Sequence, residues 1–171
     1  MELRHSQEDE RVVQEQVGRP LRGRWRVARR CHLGVPMAIE NHPRLDDGSP
    51  FPTLFWLTCP ILVKRASRLE SEGRMTDVNH DLAEDGAFGD RLRDAMARLR
   101  ARRDEHEPLE DASPPGGGPE RVKCLHAHLA HQLAAPPNPV GSAALSGTGW
   151  PDCVVPCVPP RQAEVSEAPS W

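Results

Sequence analysis

The stretch RGRWRVARR, residues 22 to 30, sets the reading of the chain. Its residues alternate: Arg22, Arg24 and Arg26 point one way, and Gly23, Trp25 and Val27 the other. That is the period-two pattern of a half-buried strand. Cys31 to Gly34 reads as a turn, and Val35 to Glu40 as a second strand paired antiparallel to the first. Asn41 to Pro52 is rich in turn formers, with Asp47-Gly48 suited to a tight turn. Thr53 to Thr58 supplies a third, apolar strand. A helix follows. Thr58 or Cys59 serves as its N-cap, and Pro60 sits in the first turn, where a missing N–H costs little. Leu62, Ala66 and Leu69 repeat with the helical period, and Gly73 ends the run. Residues 74 to 88 read as loop, and residues 89 to 106 as a second helix with a narrow apolar stripe of Leu92, Met96 and Leu99. The expected fold is α+β: a small antiparallel sheet over about residues 22–58, packed against two or three helices. Phe51, Phe55, Trp56, Leu57 and Trp25 are its candidate core.

Composition sets the boundaries. Eighteen prolines and thirteen glycines concentrate between residues 108 and 119 and beyond residue 135, while the chain has no Tyr, three Phe and four Trp. Residues 1–17 form a polar lead-in, residues 18–145 a single domain with a linker at 107–119, and residues 146–171 a Pro-rich tail expected to be largely disordered. The net charge of −3 disfavours wholesale coating of nucleic acid. Residues 19 to 30 nevertheless hold six Arg and no acid. Arg22, Arg24 and Arg26 on one face could grip phosphates or an acidic partner, and the plainer reading is a charged solvent face. The N-terminus lacks an apolar signal region. The longest apolar stretch, Phe51 to Val63, is broken by Pro52 and Pro60 and too short to span a membrane. These features lead to a cytoplasmic expectation, in which five cysteines are free, metal-bound or redox-active rather than a disulfide framework.

The run KCLHAHLAHQLA, residues 123 to 134, carries the candidate chemistry. Read as a helix starting near Pro119 or Glu120, it puts Cys124, His128 and His131 on one stripe. Val122, Leu125, Leu129 and Leu133 form another, roughly 140° away. Zinc is held by about four sulfur or nitrogen ligands in a tetrahedron. The first-choice set is Cys31, in a turn, Cys59, at a helix start, and Cys124 with His128, one helical turn apart. His126, His131, Cys153 and Cys157 are reserves. The bland alternative makes the thiols small core residues and the histidines solvated.

Thiol chemistry is a second class. Cys59 at a helix start feels the helix dipole, which favours the thiolate, and His128 or His131 is a candidate base. The string CPILVKR matches C-x5-R, yet Ile61, Leu62 and Val63 are bulky and Pro60 lacks an N–H, so it makes a poor phosphate cradle. A third class is a partner-binding protein with no site. Glu40, Asp46 and Asp47 near His42 form a possible carboxylate group, for which a turn is the simpler reading.

Two blocks, HPRLDDGSPFPTLFWLTCPILVKRASRLESEG (residues 42 to 73) and PERVKCLHAHLAHQLAAPPNPVG (residues 119 to 141), together with RRCHLGVP, resemble an uncharacterised bacterial family. It is domain-of-unknown-function family 501, common in actinobacteria, and the resemblance spans about residues 18 to 145. The resemblance implies no activity, cofactor or catalytic residue. It does imply a recurring pattern of Cys at positions 31, 59 and 124 and His at 126 and 128, which fits a shared site. The resulting expectation is a cytosolic protein with a Cys/His zinc site, structural or regulatory, whose partner is an unnamed protein or small molecule.

Overall fold

The structure is a computed structural model and describes residues 3–110 and 114–159. Its centre is a three-stranded antiparallel sheet in the order β1-β2-β3, formed by β1 (Trp25–Arg30), β2 (Pro36–Asn41) and β3 (Phe55–Leu57). Trp25 pairs with Asn41 and Val27 with Ile39, while Ala38 pairs with Leu57. Every residue of β2 is buried. On one side Ile39 packs with Trp25 and Val13 of α1 (Gln7–Val17). On the other, Ala38 joins Phe55, Leu57 and the helical core. The α+β reading and its three antiparallel strands therefore hold. The polar lead-in is a capped helix: the Ser6 hydroxyl accepts the Asp9 N–H, and Gly18 closes the helix in the left-handed region at φ 75°.

Five helices and a hairpin complete the core. Cys59 is the N-cap of α2 (Pro60–Ser71), with Pro60 in the first turn, and Leu62, Ala66 and Leu69 are buried as their spacing predicts. Residues 74 to 88, expected as loop, instead hold α3 (Arg74–Glu84) and the start of α4 (Gly86–Asp104). α3 has no apolar stripe, and Val78 is its one buried residue. Asn79 anchors it instead. Its amide donates to the Val122 carbonyl at 3.0 Å and accepts the Val122 N–H at 2.8 Å. The glycines read as linker also carry structure. β4 (Gly117–Gly118) pairs antiparallel with β5 (Arg121–Val122), so α5 (Leu125–Ala134) starts later than the sequence suggests. Residues 111–113 of that linker lie outside the described residues.

α6 (Pro139–Thr148) lies across α5 at a distance that requires glycine. A Cβ on Gly141 would sit 2.1 Å from the His128 carbonyl oxygen. Beyond α6, residues 150–159 run without helix or strand. No helix among the described residues is long and apolar enough to cross a membrane.

The Arg face of β1 is not a bare charged strip. Glu40 of β2 is fully buried. It accepts from Arg26 (Nε 2.8 Å, Nη2 2.6 Å), from Arg102 (Nε 2.8 Å, Nη2 3.0 Å) and from His106 Nε2 at 3.1 Å. Asp46 and Asp47 serve the turn, accepting from the Gly23 N–H and from Ser49. Burial alone would raise the Glu40 pKa. The hydrogen bonds from Arg102, His106 and Arg26 outweigh it and bring the value down to about 2. A depressed carboxylate stabilises the fold above its unfolded value, near 4.5, and the contribution disappears as pH falls through about 2. We expect Glu40→Gln to cost about 3 to 5 kcal/mol at neutral pH. It should also flatten the loss of stability expected of the parent between pH 4.5 and 2. Urea unfolding followed by circular dichroism across that window checks both effects. An unchanged acid limb would mean that another group controls it.

Candidate functional site

The candidate ligands fall in three places. His128 and His131 point into the core, 1% and 2% exposed. The Asn138 side-chain amide donates to His128 Nδ1 at 3.2 Å and to His131 Nδ1 at 3.0 Å. Its carbonyl caps α6 by accepting the Gly141 N–H at 2.9 Å. His128 Nε2 donates to the Gly116 carbonyl at 3.3 Å. Burial lowers both imidazole pKa values, that of His131 to about 4 with the help of His128, Arg98 and Arg102. These are neutral imidazoles whose Nδ1 lone pairs are already used. Cys31, Cys59, Cys153 and Cys157 line a second place, a small cavity at the start of α2.

Cys124 and His126 form the third, with a residue that the sequence did not single out. Cys124 is the N-cap of α5 but makes no side-chain cap hydrogen bond. The cap comes from α2: Glu70 Oε1 accepts the Leu125 N–H at 2.6 Å, where the helix dipole favours a carboxylate. The same oxygen lies 3.2 Å from His126 Nδ1, and Cys124 Sγ lies 3.8 Å from that nitrogen. The ligating atoms of Glu70, Cys124 and His126 all lie within 4.8 Å of one another, and all three residues are half-buried. On the far side of the ring, His126 Nε2 is 3.0 Å from the Val63 carbonyl and 3.2 Å from the Ser67 hydroxyl. A carbonyl only accepts, so Nε2 carries the hydrogen and Nδ1 faces the thiol and carboxylate.

The electrostatics follow from this contact. Burial pushes the Cys124 thiol up, but the hydrogen bond to His126 and the Ala127 N–H outweigh it, and the net shift is downward. The contact with Cys124 raises His126, against burial and with the help of Glu70, to about 9. The two side chains thus stabilise each other as thiolate and imidazolium. Cys124 and His126 also line a cleft of about 350 Å³ together with Trp56, Val63, Pro115 and Gly116. Cys59, the candidate nucleophile, differs on each count. It is buried, burial pushes its thiol up against the Ile61 and Leu62 N–H groups, and no histidine lines its cavity. Arg65 of the C-x5-R string binds Asp152 at 2.6 Å and the Thr148 carbonyl at 3.1 Å.

The chain is thus an α+β domain with a Glu/Cys/His cluster at the junction of α2 and α5. It belongs to a protein family of unknown function, DUF501, whose pattern matches residues 27–146. No curated protein and no solved structure matches it.

In the metal-free protein the His126 imidazolium should persist well above the ordinary histidine range, with its midpoint near 9. Cys124→Ser removes its largest support, so the midpoint should fall towards 6.5. A raised histidine stabilises the fold below its unfolded pKa, and that contribution is lost as pH rises through 9. Imidazole proton NMR of parent and variant measures the midpoints. Equal midpoints would refute the Cys124–His126 coupling.

Proposed function

We propose that the protein binds a divalent metal ion of zinc type at Glu70, Cys124 and His126, with a small-molecule ligand entering from the adjoining cleft. The observation that carries this reading is the convergence of three unlike donor atoms on one point. Ligands about 2.0 to 2.3 Å from a tetrahedral zinc stand roughly 3.3 to 3.8 Å from each other. The thiol–imidazole and imidazole–carboxylate separations are 3.8 and 3.2 Å. The Nε2–H bond to the Val63 carbonyl is the outer contact that orients a metal-bound imidazole and fixes its tautomer. Three protein ligands leave a fourth position, as in zinc sites that bind water or substrate, and the cleft gives access to it. Thiolate with imidazole suits zinc better than a hard cation.

The same geometry argues against a relay triad. There the imidazole passes a proton between its two nitrogens, with the thiol on one and the acid on the other. Here thiol and carboxylate share Nδ1, and the backbone occupies Nε2. The lowered Cys124 pKa does favour a second reading, reversible thiol modification at Cys124.

The metal reading is tested by calorimetric titration of chelator-treated, reduced protein with Zn2+. We expect saturable binding that Cys124→Ser and His126→Ala each weaken by at least about 100-fold. Glu70→Gln keeps an oxygen to accept the Leu125 N–H but lacks the charge, so it should weaken binding while the thermal unfolding temperature stays near the parent value. Binding that all three substitutions leave unchanged would sink the metal reading. Rapid alkylation of Cys124 in the presence of excess Zn2+ would favour the thiol reading instead.

A further inference from the structure

Four of the five cysteines gather outside the Glu70 cluster. Cys31 follows β1, Cys59 heads α2, and Cys153 and Cys157 belong to the irregular segment after α6. All four line one cavity of about 10 Å³, with Met37 and Trp150 among its other walls. That is about the space of a single water-sized sphere, and an ion fills it where a larger ligand does not. All four thiols are free, so no disulfide accounts for the gathering.

The segment carrying two of the thiols is held in an unusual way. Val154 and Val155 lie outward, 88% and 68% exposed, while Cys153 is half-buried on the cavity wall. Apolar burial docks the segment at its two ends, Trp150 against the main core and Val158 against Val12 and Val35, and leaves the CVVPC stretch between them to other ties. Polar ties hold it: His32 Nε2 donates to the Cys153 carbonyl at 2.8 Å, and Arg65 binds Asp152. Trp150, another wall residue, has a buried indole N–H with no acceptor. A buried donor without a partner is costly, and a thiolate is the acceptor this wall offers.

We propose that Cys31, Cys59, Cys153 and Cys157 form a second metal site, a tetrathiolate centre for zinc that fastens the C-terminal segment to β1 and α2. Zinc in such a centre holds its sulfurs about 3.8 Å apart. Among the described residues, the group already at ligation spacing is the Glu70 one, so the four sulfurs stand wider than this. Binding thus draws them inward, and the segment free of helix and strand is the part that moves. The four thiols release their protons to solvent as four Zn–S bonds form, with no change of oxidation state. Binding and docking of residues 150–159 are then one event. The family match covers residues 27–146, so it includes Cys31 and Cys59 but not Cys153 or Cys157.

The test uses the full chain, reduced and stripped of metal, with His126→Ala to silence the Glu70 site. This variant should still bind one Zn2+, and Co2+ in its place should show the intense near-ultraviolet absorption of sulfur-to-cobalt charge transfer. Adding Cys153→Ser or Cys157→Ser should remove that absorption. In the parent, without any substitution, Zn2+ should slow alkylation of all four thiols at least about tenfold. It should also slow amide exchange across residues 150–159. Survival of this binding in His126→Ala beside loss of the other separates the two sites. Three results would overturn the proposal: no Zn2+ bound by His126→Ala, alkylation rates of the four thiols indifferent to Zn2+, or a disulfide between two of them in protein purified without reductant.

Discussion

A carboxylate with no solvent exposure survives in this core because three cationic or donor groups close around it. Glu40 lies within a strand whose every residue is buried, and it receives Arg26 from β1 together with Arg102 from the last turn of α4 and His106 just beyond it. Desolvating a carboxylate costs several kcal/mol, so such a residue is retained only where its partners are fixed in good geometry. The arrangement also adds to the apolar docking of α4 through Leu92, Ala95, Met96 and Leu99. Its apolar stripe is narrow and most of its surface is charged, yet Arg102 reaches Glu40 while its guanidinium lies 5.4 Å from the Phe55 ring centre. A basic last turn, favourable for the helix dipole, thereby becomes the anchor to the sheet. With α4 set, α6 has a surface to pack on, and α5 is enclosed between α6, α2 and the sheet.

That enclosure gives three imidazoles of one helix two different roles. His128 and His131 turn inward, where burial keeps them neutral and the Asn138 amide occupies their Nδ1 atoms. They join α5 to α6 through the same asparagine that caps α6, and Gly141 permits the close approach. His126, in the first turn, faces α2 instead and keeps its Nδ1 towards a thiol and a carboxylate. Identical side chains two and five residues apart are thus separated into core and site by helix geometry and by which ring nitrogen the surroundings have used.

The sheet was legible because the stretch around β1 alternates, the two strands after it are largely apolar, and the turns carry Gly, Pro and Asp in the positions that turns require. The cap of α2 was legible for a similar reason, Cys59 followed by Pro60. Leu125, Leu129 and Leu133 of the apolar stripe are buried as their helical spacing implies, while Val122 is buried as part of β5. The start of α5 was not legible. Gly116 and Gly117 read as linker, but their φ values of 79° and 102° turn the chain into a hairpin. That shift moves Cys124 from the helix face to its cap. α3 was missed because a side chain, Asn79, docks it in place of an apolar stripe. Glu70 was missed for want of any local sign, since its partners are distant in sequence. Its one signal is its place directly after Leu69, at the end of a buried stripe.

The two helices that begin with cysteine show where local preference gives way. Serine, threonine, aspartate and asparagine cap helices well because a small oxygen acceptor reaches the second or third N–H. Neither Cys59 nor Cys124 makes that bond. In α2, Pro60 lowers the demand by removing one donor, and in α5 Glu70 supplies the cap from another helix. A sulfur at a helix head forgoes capping stability, yet the dipole and N–H groups there favour the thiolate; at Cys124 they help bring the thiol down, and at Cys59 burial outweighs them. Natural sequences break local rules chiefly where function or strain requires it. Both breaks here fall where sulfur meets other donor groups: carboxylate and imidazole around Cys124, three further thiols around Cys59. The same two cysteines thus give up the cap and enter the donor clusters.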